Sequence, residues 1–208
     1  MHIQQTDNNR EKIRILVLSA SLRKDSYNTR LARLAATAIK NKGGLADFAG
    51  MAEFDCVSFN QDLEADHLYP QEALEFKNRI LESDAILIAS PEYNGSMPGS
   101  LKNAIDWVSR FRPQPFNNRH ALLMSASTSV RGGYHGLWSL RIPLEKLGSH
   151  VFPSMFSLAT AHNAFTPEGN ISDAMLTRRF EDTLAAFMNI VEASKHYPLL
   201  KKYREELR

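Results

Sequence analysis

The sequence predicts an α/β doubly wound sandwich, a central parallel sheet of about five strands with helices on both faces. Two observations carry that expectation. Three short segments, IRILVLS at 13–19, AILIAS at 85–90 and ALLMS at 121–125, are almost continuously apolar. They lack the apolar–polar alternation of a half-exposed strand, so each reads as a strand buried on both faces. Each also runs through a turn-rich loop into a 3.6-residue periodicity, and strand, loop and helix recur in that order down the chain.

After the first strand, Leu31, Leu34, Ala35, Ala38 and Ile39 share one helical face, and Gly43-Gly44 supplies a stop. The second strand falls within 45–59, where LADFAG and FDCVSF compete. A helix is expected over 71–82, with Ala73, Leu74, Lys77, Ile80 and Leu81 on its stripe. The strand at 85–90 leads to a helix carrying Leu101, Ala104, Ile105 and Val108. The strand at 121–125 leads to Leu137, Leu140, Leu144 and Leu147, with Pro143 inside as a kink or restart and Gly148 as the end. A further strand lies near HVFPSMFSL, and a long helix over 173–195 turns Leu176, Phe180, Leu184, Phe187 and Val191 inward, capped by Ser172 or Asp173.

At 208 residues, without repeats or linker-like stretches, the chain reads as one domain over 13–195. A polar arm at 1–12 and a charged extension at 196–208 flank it. A net charge of +2 without a basic cluster argues against a nucleic-acid face. MHIQQTDNNREK is too polar for a secretory signal, and no apolar run approaches the ~20 residues of a membrane helix. With Cys56 as the one cysteine there is no internal disulfide, and a cytoplasmic setting without membrane association is expected.

In a doubly wound sheet, ligands sit beyond the carboxyl ends of the strands, where the winding reverses. That rule selects three loops. SASLRKDSYN at 19–28 brings hydroxyls, an amide and Arg23 to a helix start, which suits an anion; a plain helix cap at Ser26 or Asn28 is the alternative. In PEYNGSMPG at 91–99, Pro91 and Pro98 fix φ while Gly95 and Gly99 permit positive φ or the close approach of a flat group. Here Tyr93 offers a ring face and Glu92 a turn anchor. SASTSVRGGYHG at 125–136 repeats the small hydroxyls and ends at Gly132-Gly133, where backbone amides are placed to approach a ligand.

There is no G-x-G-x-x-G or G-x-x-x-x-G-K-[ST], so a dinucleotide or ATP cradle is disfavoured and a side-chain-held monophosphate fits better. A G-x-S-x-G elbow and an H-E-x-x-H pair are also missing, and the seven histidines are dispersed, which excludes the common hydrolases and zinc sites. No metal site is expected. His135, beside the glycine pair, is left as a possible rim residue, and Arg110, Arg112 and Arg131 as cations that a nucleotide 2′-phosphate could meet.

Taken together, SLRKDSYN, SPEYNGSMPGSLKNAIDW and SASTSVRGG resemble the NAD(P)H-dependent FMN reductases, flavodoxin-like proteins that include quinone, azo and chromate reductases. The similarity in order and spacing spans 12–195. The resemblance implies that Ser21, Arg23, Ser26, Tyr27 and Asn28 hold the FMN phosphate and ribityl end. It places Pro91, Glu92, Tyr93, Asn94 and Gly95 beside the isoalloxazine, with Ser125, Ser127 and Thr128 closing the other side. It implies NAD(P)H as hydride donor, a small-molecule acceptor, no catalytic side chain, and assembly as a homodimer or homotetramer. Ala20 stands where members often carry Gly. Trp107, Phe111 and Trp138 are candidates for the subunit surface, with core packing as the alternative. A flavodoxin-type electron carrier without turnover of its own is the rival; such carriers are strongly acidic, whereas this chain is +2.

Overall fold

The computed structural model describes residues 11–65 and 68–196. The predicted arm at 1–12 and extension at 196–208 fall almost wholly outside them. Five parallel strands run in the order β2-β1-β3-β4-β5: β1 Arg14–Ser19, β2 Leu45–Gly50, β3 Ala85–Ala89, β4 His120–Ala126 and β5 His150–Val151. A sixth, β6 Phe156–Leu158, also pairs with β4. Among the described residues there are six α-helices: α1 Tyr27–Asn41, α2 Gln61–Ala65, α3 Gln71–Leu81, α4 Gly99–Val108, α5 Tyr134–Lys146 and α6 Ala174–His196.

The buried strands have two inner faces, which is why their sequence does not alternate. Ile15 and Val17 face a core shared with α1 and α6, including Leu31, Phe180, Leu184 and Phe187. Leu16 and Leu18 face the opposite core, built with Phe76, Ile80, Leu101, Ile105, Leu137 and Leu140 of α3, α4 and α5. From β1 the chain crosses to β2 on one side and then returns to β3 on the other. The reversal puts the loops after β1 and β3 side by side at the carboxyl edge.

LADFAG is the second strand, pairing with β1 from Arg14↔Leu45 to Ser19↔Gly50. FDCVSF is irregular, and its Phe54 stacks on Phe76 with centroids 4.6 Å apart. The HVFPSMFSL segment is two strands, not one. Ala121 pairs with Val151 but Met124 with Phe156, so two extra residues bulge out between them. Pro153 lies in that bulge and has no N–H to give a ladder.

The helical expectations hold in four of the five cases, with a phase change in α3. Its buried stripe is Ala73, Phe76 and Ile80, while Leu81 is exposed. Pro143 does not restart α5, which runs on to Lys146. Asp173 rather than Ser172 caps α6, its Oδ1 accepting from Leu176 N at 2.8 Å. Far along α6, Lys195 Nζ donates to Asp84 Oδ2 at 2.9 Å and fastens the helix to the strand-entry edge of the sheet.

Candidate functional site

The three loops meet in one cavity of about 210 Å³, lined by Ser21, Arg23, Ser26, Tyr27, Asn28, Pro91, Glu92, Tyr93, Ala126, Ser127 and Thr128. Ten of the thirteen predicted site residues are on its wall; Ala126 is an addition that the sequence did not single out. Asn94, Gly95 and Ser125 are not on the wall. Two other concavities, about 320 and 350 Å³, are larger. The first is lined by Arg14, Lys40, Leu45, Ala46 and Asp47 at the strand-entry side, the second by residues of α1 and α6 and the turn before α6. Neither gathers the three loops.

The first loop leaves β1 through Ala20, whose N–H donates to Ala89 O at 2.9 Å. Ser26 ends it as the cap of α1, its Oγ accepting from Asn28 N at 3.1 Å. The first turn of a helix has four N–H groups without intrahelical acceptors. Ser26 serves one, and the others remain for a ligand at the positive end of the helix dipole. Arg23 lies over the Tyr27 ring, 5.3 Å from its centroid, with Nη2 donating to Asp25 O at 2.7 Å.

Asn28, on the cavity wall, also ties two of the loops together. Its side chain is committed to the third loop: Nδ2 donates to Ala126 O and Oδ1 accepts from Ala126 N, both at 2.9 Å. This buried amide bridges two loops 98 residues apart and fixes the width of the site.

The second loop is a short hairpin. Tyr93 and Ser96 exchange backbone hydrogen bonds at 2.9 and 3.1 Å. Between them Asn94 has φ 53° and Gly95 φ 76°, the two positive values that an Asn-Gly type I′ turn requires. Asn94 and Gly95 therefore shape the turn rather than line the cavity. Tyr93 projects at its mouth, 53% exposed. Glu92 is the expected anchor, with Oε2 accepting from Gly136 N at 2.9 Å in the first turn of α5. A Cβ at Gly136 would come within 3.0 Å of Glu92 Cβ, so this glycine lets the helix sit against the hairpin. Ser139 adds a clamp, its Oγ accepting from Met97 N at 2.8 Å and donating to Gly136 O at 2.8 Å.

In the third loop, Ser127 N donates to Leu158 O at 3.1 Å, and its Oγ accepts from Ser129 N at 3.2 Å. The Gly132-Gly133 pair forms a tightly packed turn. Both residues are buried with φ of 61° and 81°. A Cβ at either would overlap a serine hydroxyl, Ser157 Oγ for Gly132 and Ser125 Oγ for Gly133. Ser125 is wholly buried beneath that turn, its hydroxyl without a hydrogen-bond partner.

The donor set suits a phosphate carried on a polar chain: four hydroxyls from Ser21, Ser26, Ser127 and Thr128, one guanidinium, and a helix N-terminus. At about 210 Å³ the cavity is smaller than the roughly 300–1,000 Å³ of pockets that enclose a drug-sized ligand. A ligand of that size would be enclosed only in part, with Pro91 and Tyr93 at the cavity's hairpin side. No histidine or cysteine lines it, and among the described residues no group of three or more His, Cys, Asp or Glu is placed to hold a metal.

Trp107 is fully buried, with Nε1 donating to Val57 O at 2.8 Å, and so is not on a subunit surface. Asn103, one turn earlier, donates to Cys56 O and Val57 O at 3.0 Å and accepts from Phe59 N at 2.7 Å. The LKNA-DW part of the recognised stretch therefore braces the segment after β2 instead of touching the cavity. Trp138 is 51% exposed on α5.

Comparison with known proteins gives a concordant result. A family model described as NADPH-dependent FMN reductase matches residues 13–163. An NAD(P)H-dependent FMN reductase of Pseudomonas aeruginosa is 34% identical over 180 residues, covering 85% of this chain and 94% of the relative. A quinone reductase of Escherichia coli is 30% identical over 190 residues, covering 89% and 98%. Among solved structures, the flavoenzyme NAD(P)H:(acceptor) oxidoreductase FerB of Paracoccus denitrificans superposes with a TM-score of 0.76 at 30% identity, covering 86% of this chain and 97% of that one. Its flavodoxin-like sheet and these alignments, which run from before β1 past all three loops, make the chain a member of the NADPH-dependent FMN reductase family.

Proposed function

We propose that this protein reduces a quinone, free flavin, azo compound or similar small acceptor with hydride from NADPH or NADH, using FMN held in the three-loop cavity. Membership of the family makes it an FMN-dependent NAD(P)H oxidoreductase. The observation that carries the reading is the convergence of Ser21, Arg23 and Ser26 at the α1 N-terminus with Pro91 and Tyr93 at the hairpin on one wall.

When bound, FMN supplies the redox chemistry, taking hydride from the nicotinamide and passing electrons to the acceptor. Ser21, Arg23 and Ser26 hold the phosphate, with the α1 dipole adding its smaller share. Tyr27, Ser127 and Thr128 border the ribityl chain. Pro91 and Tyr93 bound the flat ring, and Glu92 keeps their hairpin in place through Gly136. Asn28, on the wall, sets the loop spacing, and Ser125, beneath it, supports the Gly133 turn. No side chain exchanges a proton with substrate in this scheme; the chain orients and shields the ring.

One domain spanning 13–195 carries the activity, in a cytoplasmic setting consistent with a buried, free Cys56. No helix among the described residues is long and apolar enough to cross a membrane. The reading includes self-association through α5. Tyr134, Trp138 and Ile142 are 40%, 51% and 72% exposed and stand four residues apart in an apolar row. A second copy related by a twofold axis through Trp138 sets each Tyr134 against the other's Ile142.

The deciding experiment is spectroscopic. The purified protein should be yellow, or become so with FMN, and anaerobic NADPH or NADH should bleach it. A colourless protein that FMN cannot reconstitute removes the reading. Bleaching without turnover on any quinone, free flavin or azo acceptor would make it an electron carrier instead.

A further inference from the structure

The reading above leaves open what tells NADPH from NADH. We propose that Arg131 is the residue that does so, by taking the 2′-phosphate of NADPH. The inference rests on the proposed FMN site, and it starts from the fate of three arginines.

Arg110 is committed to Glu64, Nε to Oε1 at 2.8 Å. Arg112 turns Nη1 back onto Ser109 O and Phe111 O, both at 2.8 Å. Arg131 is exposed, and no carboxylate or carbonyl of the described residues engages its guanidinium. Its backbone, in contrast, is held firmly: Arg131 O accepts from Ser157 Oγ at 3.0 Å, and Gly132 N donates to Ser129 O at 3.2 Å. The held backbone fixes the point from which the guanidinium reaches, and the absence of a competing partner leaves its donors open to a phosphate.

Its position separates it from the FMN phosphate. Arg23 and Arg30 both lie over Tyr27 on the first loop, and Lys24 adjoins them. Arg131 is on the third loop, three residues beyond Thr128 of the cavity wall. Two anion sites on opposite loops suit two ligands that bind together, with the coenzyme's adenosine end reaching the third loop. The phosphate class follows from the backbone. A pyrophosphate is ordinarily cradled by the N–H groups of a glycine turn, but here Gly132 and Gly133 are packed onto Ser157 and Ser125. A phosphomonoester instead offers nearly two charges and three oxygens to a guanidinium fork.

The test is calorimetric titration of the FMN-loaded protein with 2′,5′-ADP and with 5′-AMP, which lacks only the 2′-phosphate. Wild type should bind 2′,5′-ADP about 10-fold or more tightly than 5′-AMP, the factor expected of one charge-assisted phosphate contact. Arg131→Ala should erase that preference with 5′-AMP affinity and flavin content unaltered, Arg131→Lys should retain part of it, and Arg110→Ala all of it. An unchanged preference in Arg131→Ala, or an equal loss for both ligands, would overturn the assignment. Failure of FMN to bind is read separately, from the flavin absorbance before any titration, and would count against the FMN reading rather than against Arg131.

Discussion

At the residue scale, Arg23 and Cys56 show how the same environment rules give opposite outcomes. Arg23 is exposed beside a helix start, and it was legible in the sequence as the charge in a loop of hydroxyls. Arg23→Ala should weaken FMN binding by about 10- to 100-fold, the value of a charge-assisted contact of ~1.5–3 kcal/mol, while far-ultraviolet circular dichroism stays unchanged. A fluorescence titration of FMN checks it, and equal affinity would place the phosphate elsewhere. Cys56 is buried, and burial, with Glu72 and Asp55 nearby, pushes its thiol from the ordinary 9.0 up to about 11. At pH 8 the native protein should therefore react with a disulfide reagent about 100-fold more slowly than the urea-unfolded chain, the ratio of the two thiolate fractions. The folded chain keeps this proton longer than the unfolded one. Its contribution to stability is thus intact below pH 9.0 and is lost as the pH rises towards 11.

At the element scale, the site depends on contacts between loops that are distant in sequence. Asn28 looked like a ligand or a helix cap because an amide at a helix start is both. Only the fold shows it closing on Ala126 of β4. Asn28→Ala leaves the buried N–H and C=O of Ala126 unpaired, at about 1–3 kcal/mol each. Urea unfolding should show a loss of about 2–4 kcal/mol, with weaker FMN binding as the first and third loops separate. Gly133 is the second such contact. An alanine there pays for the left-handed backbone, ~1–2 kcal/mol, and also meets Ser125 Oγ. The melting temperature of Gly133→Ala should fall by about 2–8 °C or more, read by calorimetry; an unshifted midpoint would mean that the turn can open without cost. The glycine pair was visible in the sequence, but its purpose was not, since positive φ serves a ligand and a packed turn equally well.

At the scale of the whole molecule, the α5 row predicts assembly. Wild type should sediment as more than one 23.5 kDa chain, and Trp138→Asp, which buries a charge in that row, should return it to a monomer. A wild-type monomer at micromolar concentration would sink the reading. The sheet, most helix faces and the edge where the three loops gather are readable from the amino-acid order alone, because buried strands, 3.6-residue stripes and helix starts are local patterns. The polar character of the cavity is readable too, because hydroxyls and a guanidinium at a helix start keep their character wherever the loop settles. Which polar side chains stay unpaired is settled by the fold. Asn28, Asn103 and Trp107 are spent on backbone groups 44 to 98 residues away, and Arg110 is spent on Glu64 while Arg131 is not. A hydrogen bond's partner depends on where a remote backbone group comes to lie, and local sequence does not encode that position.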